Sequence, residues 1–171
     1  VPELIPEHYP EQIEAPGLAK EFRGIELRPA NMSYLVFDTR TGPFKDALVR
    51  RAVAHLIDSS ALIELQGGLA RAIAGPVWPG GPGDGAAPAP AAHDPAQASS
   101  LLELAGWRDD DGDGVRARAG QRLMVTVLAT DEPNPVRDAV LRALRAGGFV
   151  LDVRIGSAAV LQNRLRDQEF Q

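Results

Sequence analysis

The chain has 171 residues, 44% of them hydrophobic and 24% charged, a balance that suits one soluble domain with a core and excludes disorder as the default. A net charge of -5 excludes a general phosphate-binding surface, so no nucleic-acid partner is expected. The absence of cysteine excludes disulfides, thiolate nucleophiles and thiolate zinc sites, and no apolar run approaches the roughly 18 residues of a membrane span.

Val1, not Met, opens the chain and no charged-then-apolar leader follows, so the sequence reads as a mature or excised piece of something longer. Residues 1–33 are rich in Pro and Glu and only weakly periodic, which predicts an irregular lead-in with at most one short helix. "SYLVFDT", Ser33 to Thr39, is a β-branched and aromatic run ended by the turn-like "RTGP", and reads as a strand.

The period then changes. In "FKDALVRRAVAHLID" the residues Leu48, Val49, Ala52, Val53, Leu56 and Ile57 recur at helical spacing, leaving Arg50, Arg51 and His55 on a solvated face. Asp58 ends that helix or caps a second one, "SSALIELQ", which Gly67 and Gly68 stop. Residues 75–95 are almost entirely Gly, Pro and Ala, the composition of a surface loop inside one domain, with Trp78 stranded in it as either a loop anchor or a cleft-lining residue. Asp94 as N-cap, Pro95 at the first helical position, an apolar stripe through Ala98, Leu101, Leu102 and Ala105, and a stop at Gly106 define the next helix. Trp107 at its end reads as a packing residue.

"RDDDGDGVRARAG" follows. Asp109, Asp111 and Asp113 fall at positions 1, 3 and 5 of a calcium-loop pattern, with Gly114 at the sharp-turn position. Position 12, however, is Gly120 where a bidentate Glu is needed, and a strand pattern follows where a helix is needed. The stretch is therefore read as an Asp/Gly turn opening a hairpin, with carboxylates bonding local N–H groups and no dedicated metal.

"LMVTVLA", Leu123 to Ala129, is a continuous apolar run that predicts a strand buried on both faces. "NPVRDAVLRALRAGG" predicts a helix capped by Asn134, with Pro135 in its first turn and Gly147 and Gly148 at its end. "FVLDVRI" alternates Phe149, Leu151, Val153 and Ile155 against Asp152 and Arg154. Strand, helix and strand with short connections predict a βαβ unit with parallel strands. Ligands of such sheets sit beyond the carboxyl ends of the strands, here "TDEPN" and "GSAA".

In order, these pieces resemble the solute-binding proteins of bacterial peptide/nickel-type ABC importers. "YLVFDT" is similar to that family's strand ending in Phe-Asn-Thr, with Asp38 in place of the usual Asn, and "GPFKDALVRRAVAHLID" to its Pro-Phe, Asp, Val-Arg, Arg-Ala, Ile-Asp signature. "HDPAQASSLLELAGW" is similar to its Asp-Pro, Ala, Leu-Leu, Ala-Gly-Trp segment, and "DGDGV" to the Asp-rich turn after it. The resemblance runs from about Tyr34 to Phe170 and implies one lobe of a type II periplasmic binding protein-like α/β fold, a parallel or mixed sheet flanked by helices. It places a ligand-binding lobe at 34–171, incomplete, with the first lobe missing. It further implies capture of a peptide or other small solute outside the cytoplasm, in the periplasm or cell envelope, delivery to an ABC permease, and hinge closure as the mechanism.

By strand-end geometry the contact candidates are Thr130 and Asn134, and Ser157 on the loop expected at "GSAA", with Trp78 and Thr39 as further ones. His8, His55 and His93 share no metal-ligand spacing. No nucleophile elbow, phosphate-cradling glycine loop or zinc-helix motif is present, and the neighbours Asp131 and Glu132 read as a solvated turn, so neither enzyme chemistry nor a cofactor is expected. Two other readings stand beside this one: an interaction or regulatory domain that keeps the lobe's fold without transport, and a hydrolase on the same α/β layers, which would need a nucleophile and base in contact.

Overall fold

The computed structural model of the chain describes residues 32–73, 75, 81 and 89–167. The expected lead-in over 1–33 therefore lies almost wholly outside the described residues, as does Trp78 in the Gly/Pro/Ala loop. The chain divides into two compact units, one built from Val1–Tyr34 and Ser59–Pro90, the other from Leu35–Asp58 and Ala91–Gln171.

In the larger unit, Gly42 leads into a 3-10 turn, Pro43–Lys45, and then helix α1, Ala47–Leu56. Asp46 separates the two: its carboxylate accepts from the Leu48 N–H, satisfying a donor that the first helical turn leaves without a partner. In the smaller unit, helix α2 spans Ser59–Glu64, and its end curls back through Gly67 and Gly68 at φ 66° and 73°, with Gly68 N donating to Ile63 O.

Helix α3, Pro95–Leu104, begins as its sequence predicts, with Asp94 Oδ1 accepting from Gln97 N at 2.9 Å. Its buried Ala98, Leu101 and Leu102 pack against α1, whose Val49, Ala52, Val53 and Leu56 are buried in turn. Asp94 N donates to His55 O, and His55 Nδ1 lies 2.9 Å from Ala92 O. His55 thus ties the end of α1 to the entry of α3, where the sequence placed it on a solvated face.

A two-residue hairpin follows, β1 (Ala117–Arg118) against β2 (Gln121–Arg122), turning through Ala119 and Gly120 with φ of 50° and 78°. Positive φ at both turn residues matches the twist of paired strands. Strand β3, Met124–Thr130, helix α4, Pro135–Ala146, and strand β4, Val150–Gly156, form the expected βαβ unit, and the strands run parallel in register from Met124 opposite Val150 to Thr130 opposite Gly156. Helix α5, Ala158–Arg166, then packs on β3. Leu123 stitches the hairpin to the sheet: its N–H donates to Arg116 O and its carbonyl accepts from Val150 N.

Three expectations are corrected. Residues 33–39 are no strand: no described segment pairs with them, and the aromatic content that suggested pleated backbone is used instead to seat Phe37 on Phe44, ring centroids 4.6 Å apart. Strand β3 is not buried on both faces, since Val125 and Ala129 are covered but Met124 is 60% exposed. On the face bearing Met124, Thr126 and Leu128 are only half-buried. "GSAA" is not a loop; Ser157 caps a helix.

Candidate functional site

The carboxyl ends of β3 and β4 come together because their ladder is in register to its last pair, Thr130 and Gly156. From Thr130 the chain runs through Asp131, Glu132 and Pro133 to Asn134; from Gly156 it passes directly to Ser157. Each exit leads into a helix start. Asn134 Oδ1 accepts from Arg137 N at 2.8 Å, and Ser157 Oγ from Val160 N at 3.5 Å, so both candidates cap the helices that follow them. Helix starts leave backbone N–H groups without helical partners, and two of them beside adjacent strand ends make this edge a donor-rich surface.

Thr130, Asn134 and Ser157 are therefore gathered on one edge. Thr130 is half-buried, whereas Asn134 and Ser157 are exposed. Thr39 is exposed in the bend after Asp38, and no hydrogen bond joins it to the other three among the described residues. Arg137 went unnoticed in the sequence. Its Nη1 donates to Thr130 O at 2.8 Å and Glu132 O at 3.0 Å, and its Nε to Asp138 Oδ1 at 2.8 Å. The signal was its place three residues after the cap, inside the first helical turn, within side-chain reach of the strand end it must bridge.

Asp38 is the one buried acid among the described residues, 7% exposed. The Arg40 side chain donates Nε–H to its Oδ1 at 2.9 Å, the Arg40 backbone N–H donates to the same oxygen, and the Thr41 hydroxyl donates to Oδ2. These donors hold its carboxyl at about 2, against the desolvation that alone would raise it. It is a turn-locking group, fully engaged with its neighbours.

The aspartate loop follows the turn reading. Asp109 accepts from Gly112 N and Gly114 N, Asp111 from Asp113 N, and Asp113 from Val115 N, with Gly112 and Gly114 at φ 74° and 82°. Carboxylate oxygens of Asp109, Asp111 and Asp113 lie within 4.8 Å of one another, a spacing a cation could bridge. Asp113 is also ion-paired with Arg122. A shallow concavity of about 200 Å³ here is lined by Arg108, Arg122 and the acids Asp110, Asp111 and Asp113 together with Val115 and Ala117, and it is open to solvent where a ligand pocket is enclosed. Trp107 is a core residue, as expected: it is buried, and the Arg118 guanidinium lies 4.5 Å from its ring centroid.

Solved structures of substrate-binding proteins share this fold. NikA from Brucella suis, in complex with Fe(III)-EDTA, is 26% identical over 78% of this chain and 28% of its own, with a TM-score of 0.69. An ABC transporter substrate-binding protein from Sinorhizobium meliloti is 27% identical over 67% of this chain and 24% of its own, with a TM-score of 0.59. The oligopeptide-binding protein AppA from Bacillus subtilis, 23% identical over 71% of this chain and 25% of its own with a TM-score of 0.56, shares the fold. The chain thus spans about a quarter of the length of these structures. No curated protein sequence matches it. Residues 2–171 match the bacterial extracellular solute-binding proteins, family 5 Middle, and the chain belongs to that family.

Proposed function

We propose that residues 34–171 form part of the ligand-binding lobe of an extracytoplasmic solute-binding protein, which captures peptides or similar solutes and hands them to the permease of an ABC importer. The observation that carries this reading is the in-register end of the parallel pair, Thr130 beside Gly156, with both strands opening onto capped helix starts. On this reading Thr130, Asn134 and Ser157 contribute hydrogen bonds to the solute, with Thr39 and Trp78 as further contacts. The activity is binding, not catalysis. The rest of the longer protein supplies the opposing wall, and the ligand favours the closed arrangement because contacts to both walls exist only there.

A single wall forfeits the closed-state contacts, so the 171-residue chain alone binds short peptides weakly or undetectably. The test is native mass spectrometry on the full-length polypeptide purified without refolding. A ladder of peptide masses establishes a broad peptide carrier, and one discrete mass a dedicated solute. An empty protein that also ignores a peptide library sinks the reading.

A further inference from the structure

We infer that Arg137 is the positioning residue of the strand-end site: it holds the Thr130–Asn134 loop in one shape before any solute arrives. The inference rests on the reading above, since it assigns the loop's shape a role in binding.

The loop leaves β3 at a half-buried Thr130 and crosses the exposed residues Asp131, Glu132 and Pro133 before Asn134 starts α4. Such a segment has little apolar burial to order it, and among the described residues the side chains of Asp131 and Glu132 accept no hydrogen bond. Arg137 grips it at three points. Its backbone N–H donates to Asn134 Oδ1, and its Nη1 bridges the carbonyls of Thr130 and Glu132, at the two ends of the first half of the loop. Asp138 fixes the guanidinium itself through Nε, and only 23% of the arginine side chain remains exposed. The planar fork makes this possible: one side chain donates from separate nitrogens in fixed directions, which a lysine ammonium cannot reproduce.

A loop held in its binding-competent shape loses no affinity to alternative conformers; one that visits that shape for a fraction of the time loses affinity by that fraction, and the loss falls on association. Arg50 is a built-in control. Its Nη1 likewise donates to two backbone carbonyls, Phe44 O at 2.6 Å and Lys45 O at 3.1 Å, but in the 3-10 turn before α1.

The experiment uses the full-length polypeptide and short unblocked oligopeptides as probes, with R137Q, R137K and R50Q. Two quantities are read: backbone amide order of Asp131 and Glu132 without ligand, and association rate. In R137Q, order is expected to fall from the roughly 0.85 of rigid backbone to below about 0.6, and association to slow about tenfold with dissociation nearly unchanged. R137K recovers part of each, and R50Q changes neither. Unchanged loop order in R137Q overturns the inference, as does a loosened loop with an unchanged association rate, or equal slowing in R50Q. A wild-type protein that takes none of the peptides, with its loop rigid, overturns the peptide reading and Arg137's part in it; that result is distinct, because it appears before any substitution is made.

Discussion

Arg116 and Gly148 are in contact through backbone and side chain together. Arg116 N donates to Gly148 O at 2.9 Å, and Arg116 Cγ lies 2.7 Å from where a Cβ on Gly148 would stand. The same arginine donates to Gly147 O, Trp107 O and Ser99 Oγ, so the turn between α4 and β4 is fastened to the middle of α3 and to the segment after it through one side chain. Gly148 also has φ of 90°, which L-residues with a Cβ adopt at a cost of roughly 1–2 kcal/mol. Gly148→Ala should therefore lose more than that, about 3 kcal/mol once the steric conflict is added. Gly112→Ala isolates the backbone part, because Gly112 has φ of 74° and nothing within 4 Å of its Cβ position. Urea denaturation of both variants checks this; equal losses would show that the contact with Arg116 is relieved by side-chain movement.

Two leucines two residues apart, on opposite faces of the same helix, should behave oppositely. Leu102 is 0% exposed in the layer between α1 and α3, whereas Leu104, two residues on, is 75% exposed. Leu102→Ala removes buried methyl groups and leaves a cavity, at a cost of about 3 kcal/mol. Leu104→Ala should stay within about 0.5 kcal/mol of the parent. Denaturation midpoints at constant m-value give the comparison directly.

Asp38 makes stability depend on acid. Its carboxyl is lowered from an ordinary 3.8 to about 2 by the Arg40 side chain and backbone donors and the Thr41 hydroxyl. A group with a depressed folded-state value stabilises the fold fully above its unfolded value, and that contribution fades as pH falls through the folded one. The contribution should therefore be intact at pH 5 and above, and decline between about pH 4 and pH 2. Asp38→Asn removes the titration but keeps one acceptor for the Arg40 N–H groups. Its melting temperature should change less steeply than the parent's across that window; parallel curves would mean that other acids govern acid unfolding.

Much of this fold was legible because its signals are local. Asp94-Pro95 and Asn134-Pro135 each announce a helix start by chemistry contained in two residues, and Gly106 and Gly148 mark ends by the φ they permit. The parallel pairing of β3 with β4 followed from short connections around one helix. What failed was what depends on neighbours. The run at 33–39 has strand composition, but a strand exists only where a partner completes the ladder, and composition reports a side-chain preference that Phe37 satisfies against Phe44. The two-sided burial expected of β3 likewise requires a layer on each face. Of the proposed contacts, Thr130, Asn134 and Ser157 follow from topology, but Arg137 does not, because an arginine in a first helical turn ordinarily reads as solvated; its fork reaches two carbonyls only in the folded chain.

Three of the N-caps, Asp94, Asn134 and Ser157, differ in geometry, and their substitutions should follow. Asp94 Oδ1 and Asn134 Oδ1 accept from the third residue on at 2.9 and 2.8 Å, while Ser157 Oγ lies 3.5 Å from Val160 N, at the outer limit of a hydrogen bond. Asp94→Ala and Asn134→Ala should each cost about 1 kcal/mol. Ser157→Ala should cost no more than a few tenths of a kcal/mol by the same reasoning. That ordering serves the functional question too: a Ser157→Ala protein that folds normally but binds its solute less tightly would separate the hydroxyl's role in binding from its role as a cap.

Calcium should do little to this chain, although Asp109, Asp111 and Asp113 can bring their oxygens within 4.8 Å. Three facts weigh against strong binding. Each carboxylate already accepts at least one loop N–H, Arg122 neutralises Asp113, and Gly120 stands where a calcium loop places its bidentate Glu. Fewer oxygens at lower net charge put any affinity at or weaker than the roughly millimolar range of the loosest protein sites. At about 1 mM calcium, mass action then adds no more than about 0.4 kcal/mol, a shift of a degree or two in melting temperature. Differential scanning calorimetry in calcium and in chelator measures it. A shift of several degrees that Asp111→Asn abolishes would show instead that the loop rearranges around the ion, giving up its Asx hydrogen bonds and the Arg122 pair to do so.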